Sequence, residues 1–465
     1  MNFNIANLIG IAIVFSTAAN AMTLEEYLQT VKTKNKVFSA LNASIEASNN
    51  KAVAGDIVLA PVLTAAAGSA SDKSLPSSVG DKRDVTEYSL GLAKKFSTGT
   101  TLGLSAKTDQ FLNDTATVGM DKYSTGGLGV SIQQSLWKDF FGTGTRIRQD
   151  LDLTTNQIET VGLDLQMRAT LFDAETVFWD YTVASEDLKL KQSNFDRAKK
   201  IEQWTSNRVN NGISDRADLM NAKALASLRE VQLATALDEI KSQEAKFREY
   251  LDLLETDLTP VLTDSLAKSH NYMDELSKKK NIIKIDAYLT SLQAKTKKLV
   301  SDQSKENLKP DLALLGTYNT SSYDRDYDVM AKNVSKTDRP KTFIGLTFSW
   351  MFDTDAKLAQ ISAADKDALA AKYTAERSMN LGKIAWSDLQ RKYEITQRNV
   401  ITLEKVAQYQ RDRAKAEQDK FAKGRTVTAS VVVAETDAAE AEVNLLKAKS
   451  GLRKLEASSI LFIAL

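Results

Sequence analysis

Two helical stretches of unusual length constrain this chain more than any other feature. From Trp137 to Gly212 is 75 residues and from Trp350 to Gly424 is 74, with no proline in either. All five prolines (Pro61, Pro76, Pro260, Pro310, Pro340) lie elsewhere, as the missing N–H and the ring clash of proline require of a long helix. In the first stretch Leu151, Ile158, Leu165, Phe172 and Trp179 fall on one seven-residue line, and in the second Tyr393, Val400, Ala407, Ala414 and Phe421 do the same. At about 1.5 Å per residue each helix is roughly 100 Å long. No globular core needs a helix that long.

Each stretch ends at a glycine able to take a left-handed backbone, within RVNNGISDRADL (Arg208 to Leu219) and KFAKGRTVTASV (Lys420 to Val431). A Ser/Thr-rich segment then opens a return helix. Steps of seven from Gly212 reach Leu219, Ala226, Leu233 and Ile240, and from Gly424 they reach Val431, Ala438, Leu445 and Leu452. Basic Arg208 and Lys420 sit at one offset before the glycines, each followed by an apolar residue, Val209 and Phe421. The pattern is a tandem duplication of a helical hairpin.

The return helices are shorter. Ser214 to about Glu255 can be extended end to end by Asn281 to Lys309, and Thr428 to the C-terminus by Thr23 to Leu59, where Thr23 and Glu26 make a capping box. Four near-equal rods result, two of them composite.

Glycine, serine and threonine concentrate in two regions, Val62 to Gly144 and Leu312 to Trp350, where strands are expected. Leu63-Thr64-Ala65, Tyr88 to Leu92, Leu102 to Ser105 and Leu128 to Ile132 alternate. So does Phe343 to Phe352, with Ile344, Leu346, Phe348, Trp350 and Phe352 on one face and Gly345, Thr347 and Ser349 on the other. An apolar face opposite a small or polar one, with Trp137, Phe140, Trp350 and Phe352 as interface anchors, is the signature of a transmembrane β-barrel strand. An ordinary sandwich strand reads the same residue by residue.

Residues Leu8 to Ala19 are apolar but too few to span a bilayer, and Ala19-Asn20-Ala21 is a small-x-small site, so 1–21 reads as a secretory signal peptide. The formal net charge of +1, with no basic stripe, argues against nucleic acid. Cysteine is absent, which removes disulfides and thiolate metal sites. His270, the one histidine, falls in a polar linker with Lys278-Lys279-Lys280 and reads as solvated, so neither metal nor cofactor is expected. No nucleophile elbow or phosphate loop appears, and Gly142-Thr143-Gly144 lacks the partners of a dinucleotide site. An enzyme is not expected.

Together these pieces resemble the TolC family of trimeric outer-membrane efflux channels, over essentially the whole chain after the signal. The resemblance rests on the order and spacing of Leu24-Glu25-Glu26-Tyr27-Leu28, Gln134-Ser135-Leu136-Trp137 with Phe140-Phe141-Gly142, and Arg208 with Gly212, Ser214, Asp218 and Leu219. In the second half it rests on Pro310-Asp311-Leu312, Trp350-Met351-Phe352-Asp353 and Gly424-Arg425-Thr426-Val427. It implies an all-α tunnel plus a transmembrane β-barrel closed as a homotrimer, in the outer membrane of a Gram-negative bacterium and reaching into the periplasm. The implied segments are a first helix 22–60, strands 61–141, a helical hairpin 142–256, a linker 257–280, a helix 281–309, strands 310–352 and a second hairpin 353–465.

The resemblance further implies an exit duct for efflux or type I secretion, with outer-membrane lipid, a periplasmic adaptor and an inner-membrane transporter as partners. By position it assigns the adaptor-facing tips to Arg208, Val209, Gly212, Ser214, Asp218 and Leu219, with Phe421, Gly424, Thr426, Val427 and Ser430. Asp218 and Arg425 take the places of a gate pair, two solvated tip charges being the other reading. Some members carry aspartates six and nine residues past the second glycine, where this chain has Ser430 and Val433. The first strand region is also much longer than the second, with an extra hairpin-like pair around Ser97 to Thr100, which either adds strands or lies outside the barrel. The rival reading is a secreted coiled-coil scaffold or adhesin without a pore, which leaves the alternating strands unexplained.

Overall fold

A computed structural model describes residues 21–73, 82–114, 121–254, 257–267 and 272–465, so most of the expected signal peptide and His270 lie outside the described residues. In chain order come β1 (Ala21–Met22), α1 (Leu24–Lys34), α2 (Lys36–Ala54), β2 (Val62–Asp72), β3 (Lys82–Lys95), β4 (Thr100–Asp114), β5 (Lys122–Ser135) and α3 (Thr143–Asn210). Then follow α4 (Arg216–Tyr250), β6 (Val261–Leu262), α5 (Tyr272–Ser277), β7 (Ile282–Lys284), α6 (Ile285–Asn307), β8 (Asp311–Asn319) and β9 (Ser322–Asp324). Last are α7 (Tyr327–Asn333), β10 (Lys341–Ser349), α8 (Thr354–Ala422), α9 (Thr428–Ser458) and β11 (Phe462–Ala464). The two long helices, α3 and α8, run 68 and 69 residues. The chain divides into one compact unit of residues 1–44, 163–285 and 381–465 and another of 45–162 and 286–380.

In the first unit α1 opens on the expected capping box: the Thr23 hydroxyl accepts from the Glu26 N–H at 3.3 Å and the Glu26 carboxylate accepts from the Thr23 N–H at 2.8 Å. The helix expected to continue to Leu59 breaks at Asn35, which is extended at φ −65° and ψ 129°. Its Nδ2 donates to the Tyr250 carbonyl at 3.0 Å and its Oδ1 accepts from the Val37 N–H at 2.8 Å. One side chain thus ends α1 and starts α2, an outlet that asparagine offers the backbone in place of helix.

The core of this unit gathers on aromatic rings. Tyr27 stacks on Phe247 with centroids 4.6 Å apart and lies 5.5 Å from Phe178, all three fully buried with Leu24, Val31 and Trp179 around them. Rings of this size dominate core energetics. On α8 the expected line holds, with Val400, Ala407, Ala414 and Phe421 buried. On α3 the buried line is Leu171 and Phe178, one residue before Phe172 and Trp179, although Trp179 is buried too. A straight helix at 3.6 residues per turn drifts against a strict seven-residue repeat.

Two expected helices are shorter than the sequence suggests. α9 stops at Ser458, and Phe462 to Ala464 pairs antiparallel with Ile282 to Lys284. Asn281, at φ 55°, turns the chain into that strand, and the β-branched pair Ile282-Ile283 suits it. Phe462 then packs on Trp386 with ring centroids 5.4 Å apart.

In the second unit the long strands form one antiparallel sheet in the order β10-β8-β5-β4-β3-β2, with β9 beside β5. The pair around Ser97 to Thr100 belongs to that sheet: β3 and β4 are registered along their whole length, and β4 with β5 likewise. β10 ends at Ser349 rather than Phe352, because the Asp353 carboxylate accepts from the Ala356 N–H at 3.0 Å and starts α8. Asp139, left-handed at φ 57°, anchors the start of α3. Its carboxylate accepts from the Thr145 N–H at 2.8 Å, the Thr145 hydroxyl at 2.7 Å and Lys95 Nζ at 2.9 Å. α7, whose Met330 is buried against Gly126, lies in a region where only strands are expected.

Candidate functional site: the paired helix tips and the strand face

The two glycine tips are built alike. Gly212 has φ 70° and Gly424 φ 73°. The Gly212 N–H donates to the Val209 carbonyl at 3.0 Å and the Ile213 N–H to that of Arg208 at 2.8 Å. The Gly424 N–H donates to the Phe421 carbonyl at 3.0 Å and the Arg425 N–H to that of Lys420 at 2.8 Å. Both are Schellman closures, which satisfy the last carbonyls of a helix. Neither return helix opens with a side-chain cap, Asp215 and Val427 being the N-cap residues.

Beneath the tips Phe421 is 2% exposed and packs in a small core with Ala198, Ile201, Ala222, Leu225 and Val431. Its apolar ring is drawn inward beneath the tip, which corrects its expected place among exposed tip residues. Arg208 joins the halves, its guanidinium 4.8 Å from the Phe421 ring and its NH1 donating to the Phe421 carbonyl at 3.3 Å. Gly212, Gly424, Arg425 and Val427 are exposed, and Val209, Ser214, Asp218, Leu219, Thr426 and Ser430 are half-buried.

Among the described residues no ion pair joins Asp218 to Arg425; the Asp218 carboxylate accepts instead from the Ser214 hydroxyl at 2.6 Å. On the second tip Glu417 pairs with Lys420 at 2.7 Å and accepts from the Thr426 hydroxyl at 3.0 Å. Lys420, and then Thr426, hold the Glu417 carboxyl below its ordinary range.

Further from the tips along the same helices, beyond the Phe421 core, lies a set of charges with no counterpart among the expected site residues. Glu435 and Glu442 on α9 are buried, with Arg197 at 2.8 Å from Glu435 and 3.7 Å from Glu442, and Arg411 at 2.9 Å from Glu442. Burial pushes the neighbouring Arg229 below its usual value. The signal was available: Glu435, Glu442 and Glu456 keep the same seven-residue phase, beside the apolar line through Val431 and Ala438.

The second surface is the sheet. Its register lines up Leu63, Leu92, Leu104, Val130 and Tyr318 across five strands, all exposed. The next row, which points to the opposite face, is Thr64, Gly91, Ser105, Gly129 and Asn319. On β10 Ile344, Leu346 and Phe348 continue the apolar face, also exposed. Trp137, Phe140, Trp350 and Phe352 are exposed just past the ends of β5 and β10, the rings of Trp350 and Phe352 lying 5.0 Å apart. Among the described residues no helix is long and apolar enough to cross a membrane, and no group of metal-ligating side chains comes together.

Solved structures show which proteins are built this way. The Vibrio cholerae outer membrane protein VceC superposes with a TM-score of 0.65 at 13% identity, covering 94% of this chain and 95% of that one. The open state of the Neisseria gonorrhoeae outer membrane channel MtrE gives 0.66 at 14% identity, covering 94% and 88%. The Campylobacter jejuni outer membrane channel CmeC gives 0.61 at 11% identity, covering 99% and 93%. The fold is that of outer-membrane channels. No family profile matches the chain and no curated protein is similar in sequence. The channel fold therefore persists here at an identity where sequence comparison is silent, and the TolC-like fold class expected from the residues is the one observed.

Proposed function

We propose that the chain is the outer-membrane duct of a tripartite efflux or type I secretion system, assembled as a homotrimer and led out of the cytoplasm by residues 1–21. The observation that carries the reading is the exposed apolar strand face opposite a face of small and polar residues, on a chain whose other unit ends in two matched helical tips. In water such a face is a liability. In lipid it is the required surface of a barrel.

Within this reading the tips meet a periplasmic adaptor, which links the duct to an inner-membrane transporter. Arg208, Val209, Gly212, Ser214, Asp218 and Leu219 of the first tip and Gly424, Thr426, Val427 and Ser430 of the second form that surface. Phe421 holds it from beneath. Asp218 and Arg425 are the gate candidates, and an Asp218→Ala variant with unchanged resting conductance removes them.

Single-channel conductance of the detergent-extracted protein in a planar bilayer tests the proposal. Discrete, long-lived steps are expected. Folded protein that is soluble without detergent and never inserts overturns it in favour of a coiled-coil scaffold.

A further inference from the structure

Among the described residues the sheet has two open edges. β2 runs 11 residues and β10 runs 9, each beginning just after a proline (Pro61, Pro340), with none inside. β2 is exposed along its whole length and β10 nearly so, and the two are not paired with each other. These lengths match a tilted strand crossing a bilayer, which needs about 9–11 residues. An unpaired edge of that length cannot stay open in lipid, where every N–H and C=O must find a partner.

We propose that each copy pairs its β2 with β10 of the next, so that the homotrimer closes an eighteen-stranded barrel to which every chain gives six strands, β2, β3, β4, β5, β8 and β10. The inference rests on the homotrimeric channel reading and adds how many strands each chain gives and how wide the pore is. Six strands joined by antiparallel pairs alternate in direction, so β2 and β10 point opposite ways and the new pairs continue the antiparallel ladder. The faces agree as well. Leu63, Ala65 and Ala67 on β2 share the apolar face with Ile344, Leu346 and Phe348 on β10.

The pair β3–β4 cannot be set aside as an external hairpin. β4 bonds to β5 over the run from Thr100 to Leu112, and removing β3 and β4 would expose the β5 edge. With strands about 4.8 Å apart and tilted about 40°, eighteen of them close at roughly 35 Å across, a size at which barrels hold an aqueous channel.

The chain has no cysteine, so engineered pairs report without background. Leu63→Cys, Ala65→Cys or Ala67→Cys is combined in the full chain with Ile344→Cys, Leu346→Cys or Phe348→Cys. Directly opposed residues on antiparallel strands have Cβ atoms about 4.5–5.5 Å apart, and the closer, non-hydrogen-bonded pairs approach the roughly 3.5–4.5 Å that a disulfide spans. Oxidation of the membrane-extracted protein is expected to give covalent dimers and trimers on denaturing gels from the combinations that share one register. Ala65→Cys with Gly345→Cys or Thr347→Cys, which point to opposite faces, stays monomeric. If the variants conduct in bilayers but no combination links chains, the edges are not joined and the eighteen-stranded barrel is wrong while the channel reading stands. If the cysteine-free parent itself never conducts, both fall.

Discussion

At the residue scale the informative side chains are those held where water or free rotation cannot relax them. Gly142 has φ 80°, and a Cβ there would sit 1.7 Å from the Ser97 carbonyl oxygen, where the β3–β4 turn presses on the start of α3. Gly142→Ala therefore combines a left-handed backbone, worth ~1–3 kcal/mol, with a backbone clash. Gly212→Ala has φ 70° but open space around it, so it costs only the left-handed conformation, ~1–2 kcal/mol. Thermal unfolding followed by circular dichroism should rank Gly142→Ala well below Gly212→Ala. Glu175 gives the pH dependence. Burial pushes its carboxyl up to about 7, opposed by the Trp179 indole N–H at 3.3 Å and helped by the Glu456 charge. Between its ordinary value of 4.5 and about 7 the folded chain holds a proton that the unfolded chain has lost, so stability falls as pH rises through that window and is flat above it. Glu175→Gln should melt higher than the parent at pH 8, by ~3 kcal/mol at most, and equally near pH 4. A parent that melts no lower at pH 8 than Glu175→Gln would remove this account.

At the scale of elements, what each helix buries decides where it ends and what it tolerates. Asn35 splits a helix that its sequence would otherwise carry on, because its amide reaches the Tyr250 carbonyl of another segment. Sequence periodicity has no access to that carbonyl, which is why the break was not legible. α9 carries its apolar line as expected, yet beside it runs an acidic line that removes Glu435 and Glu442 from water only because Arg197 and Arg411 come from α3 and α8. Taking away one partner of such a set leaves charge uncompensated, although Arg411 is half exposed and relaxes partly into solvent. Glu442→Ala is expected to destabilise by ~1–3 kcal/mol. Glu376→Ala removes the exposed pair with Lys372 at 3.8 Å and should leave the midpoint nearly unchanged. Equal midpoint shifts in the two variants would mean that burial of the acidic line contributes nothing.

At the scale of the molecule, the proposed channel predicts that the exposed apolar sheet face and the two open sheet edges are covered by lipid and by further copies of the chain. Extracted protein is expected to run as a trimer in detergent and to precipitate when detergent is withdrawn, which light scattering and sedimentation distinguish directly. Much of this was legible beforehand. Seven-residue spacing and the lack of proline from Trp137 to Gly212 and from Trp350 to Gly424 are local properties, and local hydrogen bonding makes a helix of them in any surroundings. Gly212 and Gly424 close both hairpins because only the bonds of the preceding turn are involved. The two-residue alternation from Ile344 to Phe348 likewise assigned each side chain a face, since the pleat alone does so. Long-range pairing lay beyond that reach. Which strand lies beside which, whether the β3–β4 pair joins the sheet, that Phe462 leaves helix for strand and that Phe421 turns inward under Arg208 depend on partners far away in the chain. Those partners meet only when burial and backbone bonding repay the entropy of closing large loops, and for these features only the tertiary structure could decide.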